Sequence, residues 1–138
     1  MIWKFLCVVF LCVASLGALE NEKPVLNGSA WDLYLLNYNG EILSTSHVAQ
    51  KATLHFQAKK DFGGSSGCNT FFGSYKDSQQ TLQFSNVGVT KKMCDEKSMS
   101  IESALLMLFR DGGVSYTLYN DELVLERDLT KAVFKRTH

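Results

Sequence analysis

The sequence predicts an α+β, mostly β domain: a curved antiparallel sheet or open barrel of about eight strands, with one helix inserted before the last three. Three observations lead there. From Ser29 onward, turn signals recur about every eight to twelve residues between short runs of strand-forming residues, the spacing of a sandwich or barrel. A helical period of apolar residues occurs once, over residues 98–110. The links between successive strands are short, which makes sequence neighbours antiparallel.

The elements follow in order. Residues 31–36 meet 41–43 across Asn39-Gly40, a two-residue hairpin signal because both residues tolerate positive φ. Residues 52–58 alternate, with Leu54, Phe56 and Ala58 on one face and Thr53, His55 and Gln57 on the other. Strands are expected again at 68–75, at 81–84 with Leu82 and Phe84 facing one way, and at 86–90 with Val87 and Val89. The stretch Gly63-Gly64-Ser65-Ser66-Gly67 reads as a turn or bulge that lets the chain bend sharply. The helix places Ile101, Ala104, Leu105 and Leu108 on one face, and Leu106, Met107 and Phe109 widen the stripe, which implies burial against the sheet. Asp95 and Glu96 suit the positive end of its dipole, Ser98 is the expected N-cap, and Gly112-Gly113 the expected left-handed stop. Three strands finish the chain, 114–119, 122–127 and 131–136, turning at Asn120-Asp121 and at Asp128-Leu129-Thr130.

A chain of 138 residues has room for one domain, and 46% hydrophobic residues supply a continuous core. Fourteen basic and fourteen acidic side chains cancel without forming blocks, so the field needed to hold nucleic acid is missing. At the start, Lys4 precedes an almost wholly apolar run, 5–16, followed by the small residues Gly17 and Ala18. This reads as a signal peptide over 1–18, because the run falls short of the roughly 20 residues that cross a bilayer. The mature protein is then secreted or extracytoplasmic, with no stable membrane span, a short N-terminal segment over 19–28 and the domain over 29–138. Leu11 stands where a lipoprotein signal needs a small residue before Cys12. Asn27-Gly28-Ser29 is a glycosylation sequon.

Outside the leader two cysteines remain, Cys68 and Cys94. In an oxidising compartment such an isolated pair is expected to be a disulfide, stabilising by about 3–4 kcal/mol in the chain-entropy model, with two buried free thiols as the alternative. The stretch Gly63-x-Ser65-x-Gly67 formally satisfies the hydrolase nucleophile elbow, but that motif works where a strand turns into a helix, and a β-rich segment follows here. Cys68 followed by Asn69, with His47 and His55 upstream, can be cast as a thiol nucleophile with its base and orienter, a reading that the disulfide excludes. The three histidines are isolated, so no metal, cofactor or catalytic set is expected. Glu102 lies beside the buried helical stripe. It is expected to tie helix to sheet through a donor such as the Thr90 hydroxyl or the Asn69 amide, with a ligand-orienting carboxylate as the alternative.

Residues 67–75, Gly67-Cys68-Asn69-Thr70-Phe71-Phe72-Gly73-Ser74-Tyr75, resemble the G-C-N-x-F-x-G-x-Y signature of the META domain family, which includes HslJ-like bacterial heat-shock proteins. Trp31-Asp32-Leu33 looks like the family's opening W-x-L. Thr90 to Cys94 looks like its T-x-M-x-C segment, with Met93 one position later than usual. Glu102 falls where the family's helix carries a glutamate, and residues 122–125 look like its late L-x-L strand. The resemblance implies a barrel-like sheet with one helix, and roles in stress response, the envelope or secretion without established catalysis. Two functions are therefore carried forward. The first is an exported non-enzymatic protein acting through contacts with a protein partner. The alternative is a small barrel that holds an apolar ligand or lipid in its mouth among Phe56, Phe71, Phe72, Phe84 and Tyr116.

Overall fold

A computed structural model describes residue 17 and residues 25–46 and 48–138. Apart from Gly17, the expected signal peptide lies outside the described residues, as does His47. Among the described residues nine strands and one α-helix follow one another: β1 (Ala30–Tyr38), β2 (Glu41–Leu43), β3 (Thr53–Phe56), β4 (Asp61–Ser65), β5 (Thr70–Ser78), β6 (Thr81–Val89), α1 (Glu96–Phe109), β7 (Gly112–Tyr119), β8 (Glu122–Arg127) and β9 (Thr130–Arg136). Eight of the strands form an antiparallel barrel in the order β1, β3, β4, β5, β6, β7, β8, β9, closed by pairing of β9 with β1 from Trp31↔Arg136 to Tyr38↔Thr130. The short β2 extends β1 at its far end as a hairpin. The mostly β architecture with one helix before the last three strands is the one expected.

Alternation sets which side chains enter the barrel, and bulges reset it. In β1, Trp31, Leu33 and Leu36 are buried, and the change from odd to even positions falls at a register shift between Leu33 and Leu35. In β6, Leu82 and Phe84 point inward before Asn86, in the left-handed region at φ 53, adds a residue opposite Gly73. The expected break between 84 and 86 is therefore a bulge inside one continuous strand. The glycine-rich stretch departs further from expectation, because Asp61–Ser65 is strand β4 and only residues 66–69 turn. Gly64 explains the composition: a side chain there would meet the Thr53 carbonyl and lie 2.7 Å from the Phe71 ring. The strand expected over 52–58 stops at Phe56 and gives way to a short 3-10 turn, with Lys59 and Lys60 at positive φ. Asn39 and Gly40 turn at φ 53 and 85, as the hairpin requires.

Both helix ends differ from the sequence reading. Asp95 is the N-cap, accepting from the Ser98 amide at 3.1 Å and the Ser98 hydroxyl at 2.6 Å, so Ser98 sits inside the first turn as donor. At the other end Arg110 leaves in extended conformation, and Gly112 opens β7. The carbonyls at the exit from the helix are met by Arg127, whose guanidinium donates to that of the C-cap, Arg110 O, at 2.7 Å and to Asp111 O beyond it at 3.0 Å.

The helix packs on β1, β7, β8 and β9 and contributes Leu105, Leu108 and Phe109 to the core. Phe109 is central: its ring lies 5.6 Å from Phe62, 4.7 Å from Phe71 and 5.2 Å from Phe84, centroid to centroid. Trp31, Leu36, Leu54, Phe56, Leu123, Leu125 and Phe134 fill the rest of the interior. Leu26 joins this core from ahead of β1, and the Trp31 indole donates to Ser29 Oγ at 2.7 Å.

Candidate functional site

The motif residues Gly67, Cys68 and Asn69 form the turn between β4 and β5. Ser66 organises it: its amide donates to Asn69 O at 2.8 Å, and its hydroxyl oxygen accepts from the amides of Cys68 and Asn69 at 3.2 and 2.9 Å. Gly67 stands at φ +89, where a side chain would also press on Gln50 O at 2.7 Å, so glycine is required twice over. Asn69 is buried and turns its amide toward the link 90–95 that joins β6 to α1. Asn69 Oδ1 accepts from the Lys92 amide at 2.6 Å and the Thr90 hydroxyl at 3.1 Å, while Nδ2 donates to Lys92 O at 2.9 Å. Cys68 and Cys94 hold the same link covalently, their Cα atoms 6.0 Å apart. The Glu102 carboxylate comes from the helix side, and its Oε1 accepts from the Ser66 hydroxyl at 2.9 Å.

These ties leave a cleft of about 320 Å³ beside the link, lined by Val89, Met93, Met99 and Leu106, with Glu102 and Lys92 at its polar edge. Met99, Glu102 and Leu106 face it from α1 at spacings of three and seven. Glu102 is only 6% exposed. Among the described residues its Oε2 has no partner, yet it is not sealed from solvent, so it opens on the cleft. Lys91, Lys92 and Met93 stand exposed around the rim.

The META domain family model matches residues 24–138. The chain belongs to the META domain family. Among solved structures, an NMR structure of a protein from Burkholderia xenovorans is 22% identical, with a TM-score of 0.65 over 81% of this chain and 83% of that one. A second NMR structure is 21% identical, with a TM-score of 0.65 over 80% and 90%. A crystal structure of a DUF4847 family protein from Bacteroides vulgatus is 16% identical, with a TM-score of 0.55 over 80% and 94%. At these identities the likeness is one of fold. No curated protein matches.

Placed on this META domain, the signature divides into two groups. Gly67, Cys68, Asn69, Thr90, Cys94 and Glu102 converge on the knot just described. Trp31, Phe71 and Tyr75 belong to the barrel interior, and Gly73 lies in β5 opposite Phe62. Tyr75 is buried edge-on to Phe56 at 4.9 Å, and its hydroxyl has no partner among the described residues. Burial, then the nearby Asp77 carboxylate, raises the pKa of that hydroxyl. Burial also raises that of Tyr116, together with the 2.6 Å hydrogen bond that its hydroxyl donates to Asp77. Asn27 is exposed in a turn.

The sequence names Glu102 but not its donor, which is Ser66 and neither Thr90 nor Asn69. Ser66 carried a signal all the same, as a hydroxyl three residues before Asn69 in a turn. The elbow serine, Ser65, lies in a strand that turns into another strand, and its hydroxyl accepts from the Gly67 amide at 3.0 Å. The Cys68 sulfur is paired with Cys94, which removes the thiol from the nucleophile reading. Of the aromatics assigned to a barrel mouth, Phe56, Phe71 and Phe84 are fully buried in the core, while Phe72 lies on the outside. Among the described residues no group of three or more His, Cys, Asp or Glu is placed to hold a metal, and no helix is long and apolar enough to cross a membrane.

Proposed function

We propose that this META domain is an exported, non-enzymatic protein that acts through a protein partner in stress response, at the envelope or cell surface, or in the secretory pathway. The observation that carries the reading is how the polar groups in and beside the signature are used. Ser66, Asn69, Thr90 and the Cys68–Cys94 pair are committed to one another, and what they frame is an apolar cleft with a single carboxylate. A pair of sulfurs within bonding distance in a small domain supports export to an oxidising compartment. Affinity capture of the tagged protein from its native host tests the reading, and a specific, stoichiometric partner is expected. Turnover on ester, peptide or glycoside panels that a single substitution abolishes overturns it.

The cleft also favours a second reading, in which it takes an apolar small molecule or lipid at the barrel's outer edge instead of its filled interior. Native mass spectrometry of protein purified without delipidation separates the two: a bound mass supports the second, the protein mass alone the first.

A further inference from the structure

The barrel wall is incomplete beside this cleft. Strand β7 pairs with β6 only from Thr81↔Ser115 to Phe84↔Gly112, yet β6 continues to Val89 along β5. Among the described residues, 85–89 therefore have a strand on one side only. The Thr90 amide donates to Thr70 O at 3.0 Å, and bonded and non-bonded pairs alternate along an antiparallel ladder. The pair Phe72↔Gly88 bonds again, and Phe71↔Val89 between them is the kind whose amide and carbonyl point away from the partner strand. Val89 thus turns its backbone donor and acceptor toward the unpaired side, where it lines the cleft. The helix across the cleft cannot satisfy them, because its own backbone groups bond within the helix.

We propose that this edge takes an extended peptide segment of the partner as an added strand, with one large apolar side chain in the cleft and an acidic residue beside Lys91 and Lys92. This rests on the reading above that the protein works through a protein partner. A strand edge with free amides and carbonyls is a template for extended chain, and main-chain bonds then give affinity while side-chain pockets give selectivity. Met99 and Leu106 supply the pocket wall, and a volume of about 320 Å³ is at the small end for a ligand site, matching one side chain and its backbone. The exposed ammonium groups of Lys91 and Lys92 complement an acidic flank. Oε2 of Glu102 is positioned to accept one further N–H or hydroxyl from the segment.

The test is to pan the oxidised full chain against a random heptapeptide library and measure binding of the selected synthetic peptides by calorimetry and amide-shift mapping. The expected peptides pair an apolar residue with an acidic neighbour and shift amides in 85–93 and 99–106. Val89→Pro removes the edge amide without touching the ladder to β5 and is expected to weaken binding about tenfold or more. Should that variant fail to fold, the surface variant Lys91→Glu/Lys92→Glu reports instead, with a loss for acidic-flanked peptides and a gain for basic-flanked ones. Shifts mapping elsewhere, an empty selection, or full affinity in folded Val89→Pro overturn the proposal. In the capture experiment, a partner retained by Val89→Pro overturns this site alone, whereas the absence of any partner overturns the reading beneath it.

Discussion

Phe71 and Asn69 stand two residues apart at the entrance to β5, yet they are held by different physics. Phe71 is fixed by shape and area, with its ring against Phe109 at 4.7 Å and Phe62 at 6.2 Å. Asn69 is fixed by direction, its one amide group bridging Lys92 N, Lys92 O and the Thr90 hydroxyl. Apolar packing accepts a side chain of similar volume, whereas even the isosteric carboxylate of Asp cannot replace an amide that both donates and accepts. The core therefore has latitude and the knot has none.

The largest effect expected on this contrast is in the core. Phe71→Ala or Phe109→Ala should cost about 3–5 kcal/mol in urea unfolding, while Phe71→Leu, which keeps most of the volume, should cost clearly less. If Phe71→Leu is as damaging as Phe71→Ala, the interior is as exacting as the knot and the distinction fails. Next comes the covalent part of the knot. Cys68→Ala and Cys94→Ala should each lose about 3–4 kcal/mol, with the double variant no worse than either. Additive losses would show that the sulfurs are not bonded to each other. For the amide, Asn69→Asp and Asn69→Leu should both cost about 2 kcal/mol by equilibrium unfolding, because either leaves groups of the buried link unpaired. A neutral Asn69→Asp would mean that the donor to Lys92 O is dispensable.

The effects that are smallest near neutral pH are those of titration. Asp95 has its pKa lowered, first by the Ser98 hydroxyl and then by the Ser98 amide. Its contribution is thus present above the ordinary value of 3.8 and lost as pH falls through the lower folded value. Thermal melts of Asp95→Ala should show a flatter acid limb than those of the parent. Tyr116 behaves oppositely: its raised pKa stabilises below the ordinary value of 10.0 and that stability is lost as pH rises through the folded value. In an alkaline absorbance titration Tyr75 and Tyr116 should ionise last, and Asp77→Asn should bring Tyr116 down.

The same contrast governs what can be read from the sequence. Strands with side chains on both faces announce themselves, as Leu54 and Phe56 or Leu82 and Phe84 do, and the helical stripe is as plain. Strand β4 was hidden because Gly63 and Gly64 have no side chains to mark a face, and their composition imitates a turn. The turn at Gln79-Gln80, both at positive φ, carries no turn-forming residue to signal it. Asp95 and Ser98 are both good caps, and only the geometry at the helix entrance makes the first the acceptor and the second its donor. The cysteine pair is legible because it needs only a compartment and a count. The link from Ser66 to Glu102 spans 36 residues and depends on the bend of β4 into β5, which no local pattern encodes.

The seam between β1 and β9 has a consequence for how the molecule is made. It joins the first strand to the last seven residues of the sheet, Thr130–Arg136, so the two edges that must meet are separated by nearly the whole domain. β1 keeps that edge bare until β9 reaches it, and contacts of such long sequence separation form slowly. Barrel closure is therefore a late step in folding, and until it happens the β1 edge that carries Trp31 and Leu33 is free to pair with another chain.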